Sequence, residues 1–475
     1  MRTLRPAIAW PDLPAFGVGA LLTLGAVLAT AEQGAAVGLG SLIALALFFV
    51  VIAGFIAFPH VTIATVIPLF AVIPAVKVVA FPWFGPVKDI VTLAGVVAAG
   101  ILVVQRAGEG HEQRGDFWAA ALVAFLIGLY VLNLGGGMQR DLAWGQGVRL
   151  VAEPLLLLLI GLVLPQARRT LRWAMFSLIA TGLAVALIGI LQQVVGEARL
   201  IELGYSYESA VRTINNRLRS FGTMDEPFAY AAFLLLSLWA LFVWTRRNLL
   251  TAIVGTVIVT GLAFSYVRTA LIVGIALVGL WLARSQRPTV AAFLMAVALV
   301  SASVILIWSS EGTESRTVRS DNSLFLTVNG RTEAWRLVLD SPKTWFIGKG
   351  VGEVGTAFER SKYSVSMDRP NQSDAFTVDS GYFAMIADVG AVGLVALLAL
   401  VARLYYLGRK AIARGSAAGW LAVGFLTILL LDAVTRASFT GFPTAFLSLL
   451  LVGVALAAAA EEQDSRTRPA RAARS

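Results

Sequence analysis

Four arginines and one aspartate stand in surroundings that give them chemical potential. Arg217 and Arg219 precede Ser220-Phe221-Gly222-Thr223-Met224-Asp225-Glu226-Pro227, and Arg268 interrupts an apolar stretch in Phe264-Ser265-Tyr266-Val267-Arg268-Thr269-Ala270. Arg331 lies in Asn329-Gly330-Arg331-Thr332-Glu333-Ala334-Trp335, and Asp379 in Thr377-Val378-Asp379-Ser380-Gly381-Tyr382. A guanidinium group stays charged and grips phosphate oxygens through two parallel hydrogen bonds. Several of them converging at a membrane face suit a phosphate-bearing lipid head group. They would hold a diphosphate leaving group and stabilise the charge developing on it, which is electrostatic catalysis without a metal. An acceptor hydroxyl would still benefit from a base. Asp379 is the best candidate, although a carboxylate with pKa near ~4 is weak unless desolvated, and histidine near ~6.5 is better matched. The chain has two histidines, His60 and His111. The topology below assigns both to the cytoplasmic side, away from these arginines.

The elements that must position these residues follow from composition. Of 475 residues, 58% are hydrophobic and 14% charged, and the mean hydropathy is +0.80. A soluble domain carries about 25% charged residues, so most of this surface never meets water. With no cysteine, disulfides and thiolate metal sites are excluded, and two histidines cannot make a histidine-rich metal centre. Neither a metal nor an organic cofactor is expected. The formal charge of +10 first suggests cytoplasmic loops facing anionic lipid. Nucleic acid is not an expected partner, because the charges are spread among apolar spans.

A membrane-crossing helix needs about 20 apolar residues. Such runs occur near 14–31, 36–58, 61–80, 88–105, 117–135, 148–165, 172–195, 227–245, 248–266, 268–284, 289–308, 380–405, 417–436 and 442–460. Residues Met1 to Thr30 resemble a signal peptide, but the long apolar run followed at once by another predicts a retained first helix. Lys77 and the Phe81-Pro82-Trp83-Phe84-Gly85-Pro86 turn leave the third and fourth runs open to a re-entrant interpretation, so the expectation is 12–14 spans. An N-terminus inside places Arg106, Arg114, Arg168, Arg169, Arg172, Arg246, Arg247, Arg284, Arg287, Arg403, Arg409, Lys410, Arg414 and the tail from Arg466 to Arg474 in the cytoplasm, as the positive-inside rule requires.

This topology gives N-terminal helices over 1–195, a first outer loop over 196–226 and central helices over 227–308. A large outer loop over 309–379, C-terminal helices over 380–460 and a basic cytoplasmic tail over 461–475 complete it. The large loop holds an amphipathic stretch from Thr332 to Leu339 and the glycines Gly348, Gly350 and Gly352, and predicts a small cap folded on the membrane surface. Some charges admit plain explanations. Arg436 has Asp432 four residues before it and Arg149 has Glu153 four residues after it, both ion-pair spacings. Asp225, Glu226 and Pro227 make a good helix start, and Asp379 is a good N-cap. Arg268 is harder to dismiss: its connection is short, it has no acidic neighbour in sequence, and charge at that depth is costly.

Arg219-Ser220-Phe221-Gly222 with Pro227, Ser265-Tyr266-Val267-Arg268-Thr269-Ala270, and Gly330-Arg331 with Trp335 recur in that order. Gly348-Lys349-Gly350-Val351-Gly352 and Asp379-Ser380-Gly381-Tyr382 with Gly390 and Gly393 follow them. In order and spacing these motifs resemble the O-antigen ligase and Wzy-type polysaccharide polymerase superfamily, by motif over roughly 210–395 and by topology throughout. The resemblance implies an all-α polytopic membrane protein, GT-C-like, with a large partly helical extracytoplasmic loop. It implies a metal-independent glycosyltransferase that takes undecaprenyl-diphosphate-linked glycan as donor and a glycan as acceptor in the cytoplasmic membrane, both termini inside. Membrane lipids surround it, and a flippase and a chain-length regulator are compatible partners. By the family pattern Arg219 and Arg268 bind the diphosphate, with Arg217, Arg331 and Tyr382 as supports. The family's ligases use a histidine as base after the long loop; here Asp379 stands in that place, which tilts the expectation toward a polymerase. A ligase acting on lipid A-core or protein stays open, as does a transporter of anions or lipid-linked glycans. A transporter site would favour broken helices near the midplane, whereas these charges crowd one face.

Overall fold

The computed structural model describes residues 35–81, 84–108, 116–137, 140–205, 212–214, 217–224, 226–245, 249–284, 338–339, 342–353 and 380–472. In chain order these form α1 (Ala35–Ala57), α2 (Pro59–Val79), α3 (Val87–Gly108), α4 (Phe117–Leu132), α5 (Leu142–Val163) and α6 (Ala167–Glu202). Then come the two-residue strands β1 (Thr213–Ile214) and β2 (Arg217–Leu218), α7 (Pro227–Trp244), α8 (Leu249–Phe264) and α9 (Arg268–Arg284). The chain continues with α10 (Pro342–Ile347), α11 (Gly381–Ala413), α12 (Ala417–Asp432) and α13 (Thr444–Ala472).

Helices dominate because a chain crossing lipid must satisfy its backbone groups internally. By length and composition α2, α3, α5, α6, α7, α11 and α13 suffice to cross a bilayer, and α1, α4, α8, α9 and α12 contain shorter apolar segments. Each expected span within the described residues coincides with one of these helices; those near 14–31 and 289–308 lie outside. The third and fourth runs are both full-length helices, so among the described residues no re-entrant element replaces them. The fold is thus an all-α polytopic membrane protein, with β1 and β2 as a minimal antiparallel hairpin, Ile214 opposite Arg217.

Helix ends follow local chemistry. Asp116 accepts from the Ala119 amide at the start of α4, and Asp141 from the Trp144 amide at the start of α5, each satisfying an orphan N–H. α6 breaks at Gly196, whose φ of 80° lies in the left-handed region that only glycine adopts cheaply. α7 is the most enclosed helix, with 83% of its apolar window buried. It packs with α6, α8, α9, α12 and α13.

Two ends of the bundle can be told apart. At one, the Arg403 guanidinium grips the Asp116 carboxylate (Nη2 to Oδ2, 2.6 Å), Glu461 accepts from the Arg168 amide at 3.0 Å, and Arg414 donates to Gln463. These are groups that the charge pattern assigns to the cytoplasm. Gly189, on the same helix as Arg168, lies about 30 Å further along at 1.5 Å per residue, and there the loop carrying Arg219 is fastened.

The described part of the large loop is fastened at this second end too. Val338 is fully buried against Ala387, Phe383, Ala384 and Ile386 of α11. α11 is kinked at Gly390 (φ 73°), and the Ala387 carbonyl accepts from the Lys349 amide at 2.7 Å. The glycines of Gly348-Lys349-Gly350-Val351-Gly352 serve close packing. A Cβ at Gly348 would meet the Asp388 carbonyl at 2.5 Å, one at Gly352 the Ala143 backbone at 2.5 Å, and one at Gly390 the Phe346 carbonyl at 2.1 Å. The Val351 amide donates to Asn133 Oδ1 at 2.7 Å.

Candidate functional site

The loop from Arg217 to Met224 is short and turns sharply, so its backbone polar groups need partners from outside. α6 supplies them through two adjacent glutamines. Gln192 Oε1 accepts from the Phe221 amide (3.0 Å) and the Gly222 amide (2.9 Å), while its Nε2 donates to the Gly222 carbonyl (2.9 Å). Gln193 Nε2 donates to the Leu218 carbonyl (3.1 Å) and to Ser220 Oγ (2.7 Å), and Ser220 Oγ in turn donates to the Gly189 carbonyl (2.6 Å). Further along, Thr223 Oγ1 donates to the Ala71 carbonyl at 2.7 Å, and the Ala75 amide donates to the Thr223 carbonyl at 3.1 Å. Ala71 and Ala75 would bond each other in an uninterrupted helix; Pro74 between them disturbs the ladder of α2, and Thr223 fills the gap.

The same loop meets the α8–α9 junction. The Ser220 amide donates to the Phe264 carbonyl at 2.9 Å, and Arg219 Nε donates to the Ser265 carbonyl at 3.1 Å. Tyr266 turns the chain there with φ of 51°, and Arg268 opens α9. The structure therefore joins two of the motifs found in the sequence. Arg219 is 5% exposed. Burial pushes its guanidinium down to about 10; the Glu226 carboxylate pulls it up and the like charge of Arg268 pushes it down again. A buried cation beside a second cation has a standing electrostatic preference for an anion.

Glu226 departs from its expected role. It occupies the N-cap of α7, but its side chain makes no capping bond. The carboxylate reaches across to accept from Arg436 Nη2, beyond the end of α12. The Arg436–Asp432 pair is also present, though long: Nη1 lies 3.8 Å from Asp432 Oδ2, and that oxygen accepts from Ser438 Oγ at 2.5 Å. Phe228, on the first turn of α7, carries both guanidinium groups over its ring, with Arg219 Cζ 4.7 Å and Arg436 Cζ 5.9 Å from the centroid. The Gly381 amide donates to the carbonyls of Ala433 and Arg436, both at 2.8 Å. The start of α11 is thereby tied to the segment that bears Arg436.

Of the other residues singled out in the sequence, Arg217 is exposed on β2. Tyr382 Oη donates to the Leu430 carbonyl at 2.9 Å, and its ring meets Phe439 edge-on at 5.2 Å. Arg331 and Asp379 lie outside the described residues. The N-cap of α11 is Ser380, the residue after Asp379, and its Oγ donates to the Ala433 carbonyl. Arg212 stacks over Tyr205 (5.4 Å) and Phe221 (5.1 Å), a role without a local signal in the sequence. Among the described residues no three of His, Asp and Glu group as metal ligands.

A second set of charges joins α3 to α5. Lys88 Nζ bonds Glu153 Oε2 at 2.6 Å and also Asp89, while Arg149 lies 3.4 Å from Asp89 and 3.6 Å from Glu153. The expected Arg149–Glu153 pair exists, but the shorter contact to Glu153 is from Lys88, 65 residues distant in sequence. Lys88 Nζ sits 5.0 Å from the Phe446 ring centroid.

What fold and site define together is a polytopic α-helical membrane protein with a cluster of arginines and carboxylates at one end of its bundle. Residues 257–398 match the family model described as O-Antigen ligase, so this segment is similar to the O-antigen ligase and Wzy-type polymerase superfamily. The match runs from α8 into α11. It contains Arg268, Arg331, Asp379 and Tyr382, and leaves Arg217, Arg219, Glu226 and Arg436 outside. A search among curated proteins finds no match to the chain.

Proposed function

We propose that this chain is a polysaccharide polymerase. It transfers glycan repeat units from undecaprenyl-diphosphate carriers to a growing exopolysaccharide, capsule or O-antigen chain, at the outer face of the bacterial cytoplasmic membrane. The observation that carries this is the meeting of the Arg219 loop with the Arg268 junction, through Ser220 to Phe264 and Arg219 to Ser265. The Arg219 guanidinium, buried and held by the Ser265 carbonyl, is preorganised for a diphosphate and needs little rearrangement as charge develops. In the step itself the acceptor hydroxyl oxygen bonds the anomeric carbon of the donor sugar. The bond from that carbon to the diphosphate oxygen breaks, its electron pair leaving on undecaprenyl diphosphate, and the hydroxyl proton passes to Asp379. Arg217 and Arg331 assist in holding the diphosphate, and Tyr382 helps to bind the substrate.

A ligase that transfers finished glycan onto lipid A-core or protein is the second reading, favoured by the description of the matching family. The aspartate at the place of the ligase histidine supports the polymerase. Purified protein given synthetic undecaprenyl-diphosphate oligosaccharide tests the proposal by the size of its products. Wild type should extend the glycan, and Arg268→Ala should slow extension by about 100-fold or more, as loss of a charge-stabilising donor does. Full activity in Asp379→Asn would remove Asp379 as base and leave the arginines standing. In cells, loss of a polymerase leaves single-repeat glycans, whereas loss of a ligase leaves long glycan detached from its acceptor.

A further inference from the structure

The Glu226–Arg436 pair has features that a purely structural ion pair does not need. Glu226 makes no bond to the first-turn amides of its own helix and crosses 210 positions of sequence to Arg436. The two partners are unequal. The Arg436 side chain is 13% exposed and that of Glu226 37%, so Glu226 can turn to water at small cost. Arg436 also has a second carboxylate: Asp432, held by Ser438, lies 3.8 Å away. Losing Glu226 would therefore not strand Arg436 as an uncompensated buried charge, the circumstance that makes breaking buried pairs expensive. Finally, Arg436 shares the Phe228 ring with Arg219, and Glu226 acts electrostatically on Arg219 as well. One partly exposed carboxylate thus serves two guanidinium groups beside the contact of the Arg219 loop with the α8–α9 junction.

We propose that Arg436 is a further diphosphate-binding arginine, and that Glu226 is a built-in competitor which occupies it until the diphosphate of the donor displaces the carboxylate. This rests on the diphosphate site described under the proposed function. The exchange leaves the charge of Arg436 compensated throughout: Glu226 holds it in the empty site and phosphate oxygens in the filled one, with Asp432 constant. Because the carboxylate competes with the ligand, the two members of one ion pair must affect binding in opposite directions. A structural pair shifts binding through its two charges independently, so those shifts add, whereas competition makes the effect of Glu226 depend on the presence of Arg436.

The test is binding of inorganic diphosphate and of undecaprenyl diphosphate to the full chain in detergent, by titration calorimetry. Glu226→Gln removes the competitor and should tighten binding by about threefold or more; Arg436→Gln removes a charged donor and should weaken it by about tenfold. In the Arg436→Gln background, Glu226→Gln should lose most of its tightening and keep only what its charge near Arg219 contributes, because without the arginine there is nothing for Glu226 to occupy. Opposite shifts with either probe, with the Glu226→Gln gain largely lost in the double variant, support the proposal; a gain that persists in full there refutes the competitor. If Glu226→Gln leaves binding unchanged or weakens it, while Arg268→Ala abolishes it, the competitor is refuted and the diphosphate site stands. If Arg268→Ala has no effect, the site itself falls. Should Arg436→Gln fail to fold, Arg436→Lys keeps the charge and loses the two-pronged grip, and the Glu226→Gln effect is read in that background instead.

Discussion

Replacing Gln192 by leucine should disarm the Arg219 loop while leaving the helix bundle standing. The side chain is 5% exposed and makes three bonds to the loop backbone, two as acceptor from Phe221 and Gly222 and one as donor to the Gly222 carbonyl. Leucine keeps nearly the same volume but strands two amides and a carbonyl. Each buried, unsatisfied group costs about 1–3 kcal/mol, so the ordered loop loses about 3 kcal/mol or more relative to an opened one. At about 1.4 kcal/mol per factor of ten, that reduces the ratio of ordered to opened loop roughly a hundredfold, and diphosphate affinity, which follows the ordered fraction, should fall by about tenfold to a hundredfold. Gln193→Leu provides the comparison. Its two bonds are only partly buried, water can take them over, and the expected loss is about 1 kcal/mol or less. Diphosphate titration alongside thermal unfolding in detergent reads both effects. The reasoning is refuted if Gln192→Leu binds diphosphate within about twofold of wild type, or if both variants lose affinity equally.

Two further outcomes bear on how the bundle holds the site. Asp116 is pushed up by burial, yet the hydrogen bonds from Arg403 and the Ala119 amide outweigh this and hold it below the ordinary carboxylate value. A lowered folded-state pKa contributes stability above the unfolded value near ~4 and loses it as pH falls through the folded value. Wild type should therefore melt above Asp116→Asn at neutral pH, with the gap closing in acid, as detergent melting curves at several pH values would show. Gly390→Ala places a Cβ 2.1 Å from the Phe346 carbonyl at φ of 73°; the strain and clash together should cost about 2 kcal/mol or more. It should release the segment around Gly348–Gly352, seen as faster hydrogen exchange at Lys349 and Val351 with the rest of α11 still protected.

Much of the architecture is written in one dimension. A helix in lipid must be long and apolar along its own sequence, so hydropathy alone located every described span, and the charges between them suggested the two ends. Arg219 and Arg268 could be singled out for the same reason, since a charge in an apolar setting is conspicuous without any knowledge of its neighbours. The sequence also named Glu226, Arg436 and the clustered glycines, but the partners visible to it were local ones: a helix start, an i,i+4 aspartate, a small cap within the large loop. The tertiary structure decided otherwise by bringing together residues with no sequence relation. Glu226 found Arg436, Lys88 found Glu153, Thr223 filled the break that Pro74 makes in α2, and Gly348 and Gly352 became docking points for a loop. Gln192, one of two adjacent glutamines in an apolar stretch of α6, had no visible purpose until the Phe221–Gly222 turn was laid against it. Hydrophobic periodicity is a property of each segment and can be read from it. The pairing of buried polar groups depends on which segments pack together, and that is settled only when the whole bundle closes and each desolvated donor must find its acceptor.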